Sequence, residues 1–289
     1  MTPPVLVGVD GSPESTAAAH WAAEEALRRG APLRLVHVWP WLTDGRSAFA
    51  DADSLPAGAQ RMLAEIADTL RTGHPGVDVH TDVVLDAAVD GLVAAAEDAG
   101  LLVLGSRGLG GFTGLLLGSV SRATVARSAA PAVVVRPAEA QAGVAMGAVP
   151  EVLVAVDVQA PNEAVLAFAF EEAELRGARV RAVHGWDLPP AFATVGFVPA
   201  PPEMAELQGL EAKALTEALA DWRERYPGTE VVEEVRLGPA RAVVEASATA
   251  ELVVIGRRRR SHDFGPRLGR VAHAVLHHAQ APVAVVPHD

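Results

Sequence analysis

The residues in this chain best suited to chemistry lie in the run GSRGLGGFTGLLLGSVS, from Gly105 to Ser121. Two residues separate Gly105 from Gly108, and nine separate Gly108 from Gly118-Ser119, where a helical pattern opens. Glycine permits close backbone approach and positive φ, and a helix start offers unpaired N–H groups at the positive end of a dipole. One reading is therefore an anion cradle, with Ser119 adding a hydroxyl donor and Gly110, Gly111 and Gly114 letting the loop fold over a bound group. The other is a turn that uses glycine only to bend. The run has no Walker lysine, and it is not the Gly-x-Gly-x-x-Gly turn that reads dinucleotides after a first strand.

Asp10, in VLVGVDGS, is a second candidate. Its carboxylate can accept from ribose hydroxyls or an adenine amino group, or from the backbone N–H groups of Gly11 and Ser12 in an Asx-type turn. Histidine is a third possibility: His273 and His277 are four apart, with His278 adjacent and His288 near the end. They lack the His-Glu-x-x-His arrangement, and His277-His278 suit a helix C-terminus by charge. His37 and His184 fall within apolar strands and read as hydrogen-bonded structural residues. Glu24-Glu25 and Glu171-Glu172 read as helix surface, and no Gly-x-Ser-x-Gly elbow follows a strand. With no cysteine in the chain, thiol catalysis, disulfides and cysteine-ligated metals are excluded.

The elements that must position these residues come in two copies. Val5–Trp39 aligns with Val152–Trp186, placing Asp10 on Asp157, Gly30 on Gly177 and His37 on His184 at a constant offset of 147. LLVLG ending at Gly105 answers LVVIG ending at Gly256, and Ala130-Pro131 answers Ala281-Pro282, at an offset of 151. The chain accordingly divides into a domain over 1–138, a linker over 139–150 and a domain over 151–289. In the first, strands are expected at Val5–Val9, Leu33–Val38, Val77–Val84, Leu101–Leu104 and Ala132–Val135. Helices are expected at Ala17–Arg28, Gln60–Thr69, Ala87–Ala99 and Val120–Ser128. Ser12 suits the first N-cap, Pro13 the first turn and Gly30 the stop. Short, β-branched apolar strands alternating with helices predict a doubly wound α/β fold with a parallel sheet, and crossover rules put the ends of strands one and four on its ligand-bearing edge.

At these residues the first half resembles a universal stress protein domain, whose nucleotide-binding members carry Gly-x2-Gly-x9-Gly-Ser/Thr where this chain has Gly105, Gly108, Gly118 and Ser119. VLVGVDGS and LVHVW resemble the family too, and the two copies resemble the tandem members of high-GC Gram-positive bacteria. The resemblance implies two five-stranded parallel sheets, with ATP, and Mg2+ alongside it, as ligand. It assigns Asp10 to the adenine or ribose region, the backbone around Gly8 and Val38 to the base, Gly105 and Gly108 to the ribose–phosphate path, and Gly118, Ser119, Val120 and Ser121 to the phosphates. The expected function is a cytoplasmic ATP-binding regulator of the stress response. A slow ATP-hydrolysing enzyme and a nucleotide-free protein-binding scaffold are the rivals.

The second half departs at the phosphate end: in GRRRRSHDFGPRLGR, Gly256 and Gly269 are kept, but Arg259 stands in place of the middle glycine and Arg270 in place of the hydroxyl residue. Arg257 to Arg260, with Arg267 nearby, read as a solvated basic loop, an altered anion site, or a nucleic-acid contact. Tighter ATP binding is expected in the first domain. Gly118 is expected to be a position where a β-carbon would intrude on phosphates and demand an unfavourable backbone angle. Acidic residues outnumber basic ones 36 to 24, a net charge of -12, which opposes nucleic acid or an anionic membrane as main partner. The start of the chain lacks a signal-peptide pattern and no run is long enough to span a bilayer, hence the expected cytoplasmic location. The short apolar fifth strands are expected to pair across the two domains as an internal pseudo-dimer, with a further homodimer possible.

Overall fold

In a computed structural model the described residues are 2–39, 54–108, 117–137, 149–188, 200–259 and 268–289, with the side chains of 54–56 excepted. The chain forms two compact units, Met1–Ala140 and Gln141–Asp289. In the first, the order is β1 (Val5–Gly8), α1 (Pro13–Arg29), β2 (Leu33–Trp39), α2 (Ser54–Gly73), β3 (Val79–Leu85), α3 (Ala88–Ala95), β4 (Leu101–Gly105), α4 (Ser119–Arg127) and β5 (Ala132–Val135). The strands lie in the order β3-β2-β1-β4-β5, and every pair is parallel. Because the chain moves outward from β1 to β3 and then returns to β4, the switch point falls between β1 and β4. Ligands bind at such points in doubly wound sheets.

The second unit repeats this with β6 (Glu151–Ala155), α5 (Glu163–Arg176), β7 (Arg179–Trp186), α6 (Pro201–Arg225), β8 (Val231–Leu237), α7 (Pro239–Ala246), β9 (Leu252–Arg258), α8 (Arg270–His278) and β10 (Val283–His288). Its order is β10-β9-β6-β7-β8, again wholly parallel. Central strands are buried on both faces: Leu6, Leu33, Leu101 and Leu102 in the first unit and Val152 to Val154 in the second have no exposed surface. Continuous apolar runs are what such strands require.

Helix α1 begins as expected, with Ser12 Oγ accepting from the Ser15 N–H at 3.1 Å, and it stops at Gly30 in the left-handed region. Several bounds shift. α2 is longer at both ends than Gln60–Thr69. The third strand starts at Val79 because the Val77 N–H closes a turn onto the His74 carbonyl. The third helix ends at Ala95, and residues 96–99 follow with tighter i+3 bonds. Glu25 and Glu172 are not helix surface. Both carboxylates are buried, Glu25 between Arg28 at 3.3 Å and Arg29 at 2.7 Å, and Glu172 against Arg176 one turn on. Spacings of three and four residues put each arginine on its glutamate's face of the helix. Among the described residues no helix is long and apolar enough to cross a membrane.

Candidate functional site

The carboxyl ends of β1 and β4 stand level, Gly8 pairing with Leu104 on one side and Val36 on the other. Above them opens a cavity of about 450 Å3, within the ~300–1,000 Å3 usual for small-molecule sites. One end is apolar, formed by Val9, Val36, Val38, Leu92 and Leu104; the other is the glycine turn and the start of α4. Gly8, Asp10, Val38, Gly105, Gly108, Gly118, Ser119, Val120 and Ser121 all line it. Gly110, Gly111 and Gly114 lie outside the described residues.

Each glycine has its own physical reason. A β-carbon on Gly105 would lie 2.8 Å from the backbone of Glu14, so glycine there lets β4 pass against α1. On Gly108 it would fall inside 3.0 Å of Asp10 Oδ2, a separation that real β-carbons essentially never show. On Gly8 it would meet Leu92 at 2.9 Å. Gly118 differs from expectation: its φ of -70° and ψ of 155° suit any residue, and a β-carbon would meet nothing nearer than 3.5 Å. The unfavourable angle is absent because Gly118 is an extended N-cap, its N–H donating to the Ser106 carbonyl at 2.7 Å.

Asp10 sits where its two alternative roles meet. Oδ1 accepts from the Ser12 N–H at 3.0 Å, which makes the Asx turn, while Oδ2 faces Gly108. Gly11 supplies the positive φ of 83° that this turn uses. His37 Nδ1 donates to the Val9 carbonyl at 2.7 Å, a structural bond of the kind its strand position suggested. Ser121 departs from its implied part in one respect. Its buried hydroxyl donates to the Gly105 carbonyl at 2.7 Å, tying α4 to β4.

A cation at this site escaped the sequence reading. Arg107, between the first two glycines, lines the cavity and pairs with Glu14 at 2.9 Å. Arg136, just beyond β5, is held below the ordinary guanidinium value by burial first and by the charge of Arg107 second. Two guanidinium groups thus stand near the glycine turn. The spacing of the glycines drew attention away from the residue between them.

In the second unit the equivalent place is larger, about 1120 Å3. Asp157 Oδ1 accepts from the Gln159 N–H at 3.1 Å, repeating the turn of Asp10. α5 starts three aligned positions later than α1, capped by Asn162. His184 Nδ1 meets the Val156 carbonyl at 2.9 Å as expected, and its Nε2 reaches Glu211 at 3.1 Å. Gly185 stands where the first unit has Val38, and Pro239 packs over it; in the first unit Val38 instead packs over Gly91. At the phosphate end β9 does not break after its glycine. Arg257 and Arg258 remain in the strand, paired with Pro287 and His288 of β10, and the Arg259 N–H donates to the His288 carbonyl. Arg257, Arg258 and Arg270 line the cavity, while Arg260 and Arg267 lie outside the described residues. His273 and His277 stack with ring centres 4.4 Å apart, and α8 ends at His278.

Residues 1–136 and 150–287 each match the Universal stress protein family. The chain belongs to that family. A universal stress protein of Mycobacterium tuberculosis is 37% identical over 316 residues, covering 97% of this chain and 96% of its own. One of Mycolicibacterium smegmatis is 35% identical, covering 98% and 96%. The crystal structure of a universal stress protein from Archaeoglobus fulgidus superposes with a TM-score of 0.68 at 19% identity, over 99% of this chain and 98% of that one, a likeness of fold. This universal stress protein thus carries two domains of one kind whose cavities end in different chemistry. The first keeps the glycine turn, and the second replaces it with an arginine-bearing strand.

Proposed function

We propose that the chain is an ATP-binding regulatory protein of the stress response, with its nucleotide site in the first domain. The observation that carries this reading is the division of the first cavity into an apolar end and a glycine-lined end, with Asp10 beside the turn. An adenine ring fits the apolar end, where Val38 and Leu92 face it, and the phosphates reach the first turn of α4. There the N–H groups of Ser119, Val120 and Ser121 are not consumed by helical bonding, and the Ser119 hydroxyl adds a donor. Arg107 leaves Glu14 for a phosphate oxygen at modest cost, because a partly exposed ion pair is weak. Mg2+ enters with the triphosphate, and Asp10 is the one carboxylate lining this cavity among the described residues.

Binding is proposed as a signal, ordering the surface around the glycine turn for a protein partner. Turnover would need an in-line water and a group to position it. The sequence assigns no dedicated base to such a water, and hydrolysis is expected to be slow. Calorimetry of the full chain with ATP, together with a phosphate-release assay, tests this. Saturable binding with turnover far below ~1 s⁻¹, the low end of ordinary enzymes, is the expected result. Absence of ATP binding would favour the nucleotide-free scaffold, and fast turnover would favour the enzyme.

A further inference from the structure

We propose that the second domain carries its own ligand site, which takes a phosphate-rich anion through guanidinium and imidazole side chains in place of the glycine turn used by the first. The starting observation is the strand pair β9–β10. In the first domain β4 ends at Gly105, paired with Val135, and the chain turns away through Ser106 to Gly108. In the second, the pairing runs on past Gly256–Val286 to Arg257–Pro287 and Arg258–His288. Backbone that forms an open turn in one domain is committed to sheet hydrogen bonds in the other. An anion at this end of the second cavity finds the first N–H groups of α8 but no open glycine turn, and side chains must supply the donors that the turn does not.

The side chains present there suit one class of ligand. Arg258 and Arg270 are exposed and border the cavity, Arg257 lines it from within the strand, and His273 and His288 stand at the same end. His288 packs so close over Gly256 that a β-carbon there would lie 2.8 Å from its Nε2. The position aligned with Glu14, which neutralises Arg107 in the first domain, is Pro161 in the second, so the aligned carboxylate partner is gone. Acids line the cavity too: Glu211 holds His184, Asp157 makes the same turn as Asp10, and Asp187 is a third. Two of its cations, Arg257 and Arg270, stand where the first domain has Ser106 and Ser119, and Arg258 aligns with Arg107. Planar guanidinium groups bind phosphate oxygens in pairs, so several guanidinium groups at one end favour linked phosphates over a single carboxylate.

This inference concerns the second cavity alone and stands or falls apart from ATP binding in the first. The test is calorimetry on the full chain with inorganic tripolyphosphate as the probe and adenosine as the comparison. A Gly118→Val background obstructs the first domain's turn. Tripolyphosphate is expected to bind this chain saturably, with an affinity that falls steeply with added salt, and adenosine to bind far more weakly. Adding Arg258→Gln and Arg270→Ser should weaken tripolyphosphate binding by about tenfold or more for each guanidinium removed. Both side chains are exposed, so an unchanged melting curve is expected, and Arg270→Gln alone provides a milder second variant. No tripolyphosphate binding in the Gly118→Val chain, or equal binding by the arginine variants, overturns the proposal. ATP binding that survives Gly118→Val together with the arginine substitutions would count against the first-domain cradle, and the tripolyphosphate titrations would still decide the second site.

Discussion

Gly118 separates a glycine needed by the ligand from a glycine needed by the fold. Its backbone angles are open to any residue, and the nearest atom to a β-carbon placed there is the Arg107 Cα at 3.5 Å. In the ligand-free protein Gly118→Ala therefore has two small, opposed effects. Alanine is a poorer N-cap than glycine, by about 0.5–1 kcal/mol, and it restricts the unfolded chain, stabilising by about 0.4–1 kcal/mol. The net change is within about 1 kcal/mol, a shift of a few degrees in Tm at most. With ATP bound the outcome differs. The same β-carbon lies 3.9 Å from the Gly108 nitrogen, on the side of the 106–108 turn. A phosphate oxygen has to come within about 2.9 Å of such a donor. Losing one hydrogen bond to a charged group costs about 1.5–3 kcal/mol, or roughly tenfold to 150-fold in Kd. Gly118→Ala should weaken ATP binding to the first domain by at least the lower figure, and Gly118→Val, with two more carbons, should nearly abolish binding there. Calorimetry measures the binding and a circular-dichroism melt the stability of each variant. If Gly118→Ala melts like the parent and binds ATP within about threefold of it, the phosphates do not lie against this turn.

Other perturbations follow from the same geometry. Ser119→Ala removes one donor without moving the chain and should weaken ATP binding roughly tenfold to a hundredfold, read by the same titration; an unchanged Kd would remove Ser119 from the site. Gly91→Ala puts a β-carbon 2.8 Å from Val38 Cγ1 and should cost about 1–3 kcal/mol by overpacking. In a Val38→Ala background most of that penalty should disappear, and additive losses in urea titrations would show that the two do not touch. His20, whose Nδ1 lies 3.1 Å from His74 Nε2, is held below its ordinary 6.5 by burial first and by His74 second, against an opposing pull from Glu24. A lowered histidine gives stability that is complete above 6.5 and is lost as pH falls toward the folded-state value, because the unfolded chain binds the extra proton first. His20→Gln should flatten that part of the stability–pH curve below 6.5, and an unaltered curve would refute the assignment.

The sheet was legible in the sequence because strands buried on both faces leave unbroken apolar runs, and because the duplication showed each element twice. Capping was legible too, Ser12 and Gly30 being residues whose side chain, or lack of one, permits little else. What stayed hidden depended on partners distant in the chain. The burial of Glu25 follows from which side of α1 the sheet covers. The hydroxyl of Ser121 bonds a carbonyl sixteen residues back. Gly105 and Gly108 look alike in the motif, but one admits the backbone of Glu14 and the other the carboxylate of Asp10.

The four arginines Arg257 to Arg260 show the same limit from the other side. As a sequence they read as a basic loop, since such a run carries no strand pattern. Two of them are strand because Pro287 and His288 continue β10 beside them, whereas the matching strand in the first domain stops at Val135. Local preference was overruled by a neighbour about thirty positions away, as is usual for β-structure. The buried half of each domain has kept its pattern through the duplication, since a polar change there would cost several kcal/mol. At the strand ends a change of residue alters a surface rather than a core, and there the two copies have parted. The core has changed too, Phe170 standing where the first domain has Ala23, but there one apolar residue replaces another, whereas at the edge Arg259 replaces Gly108.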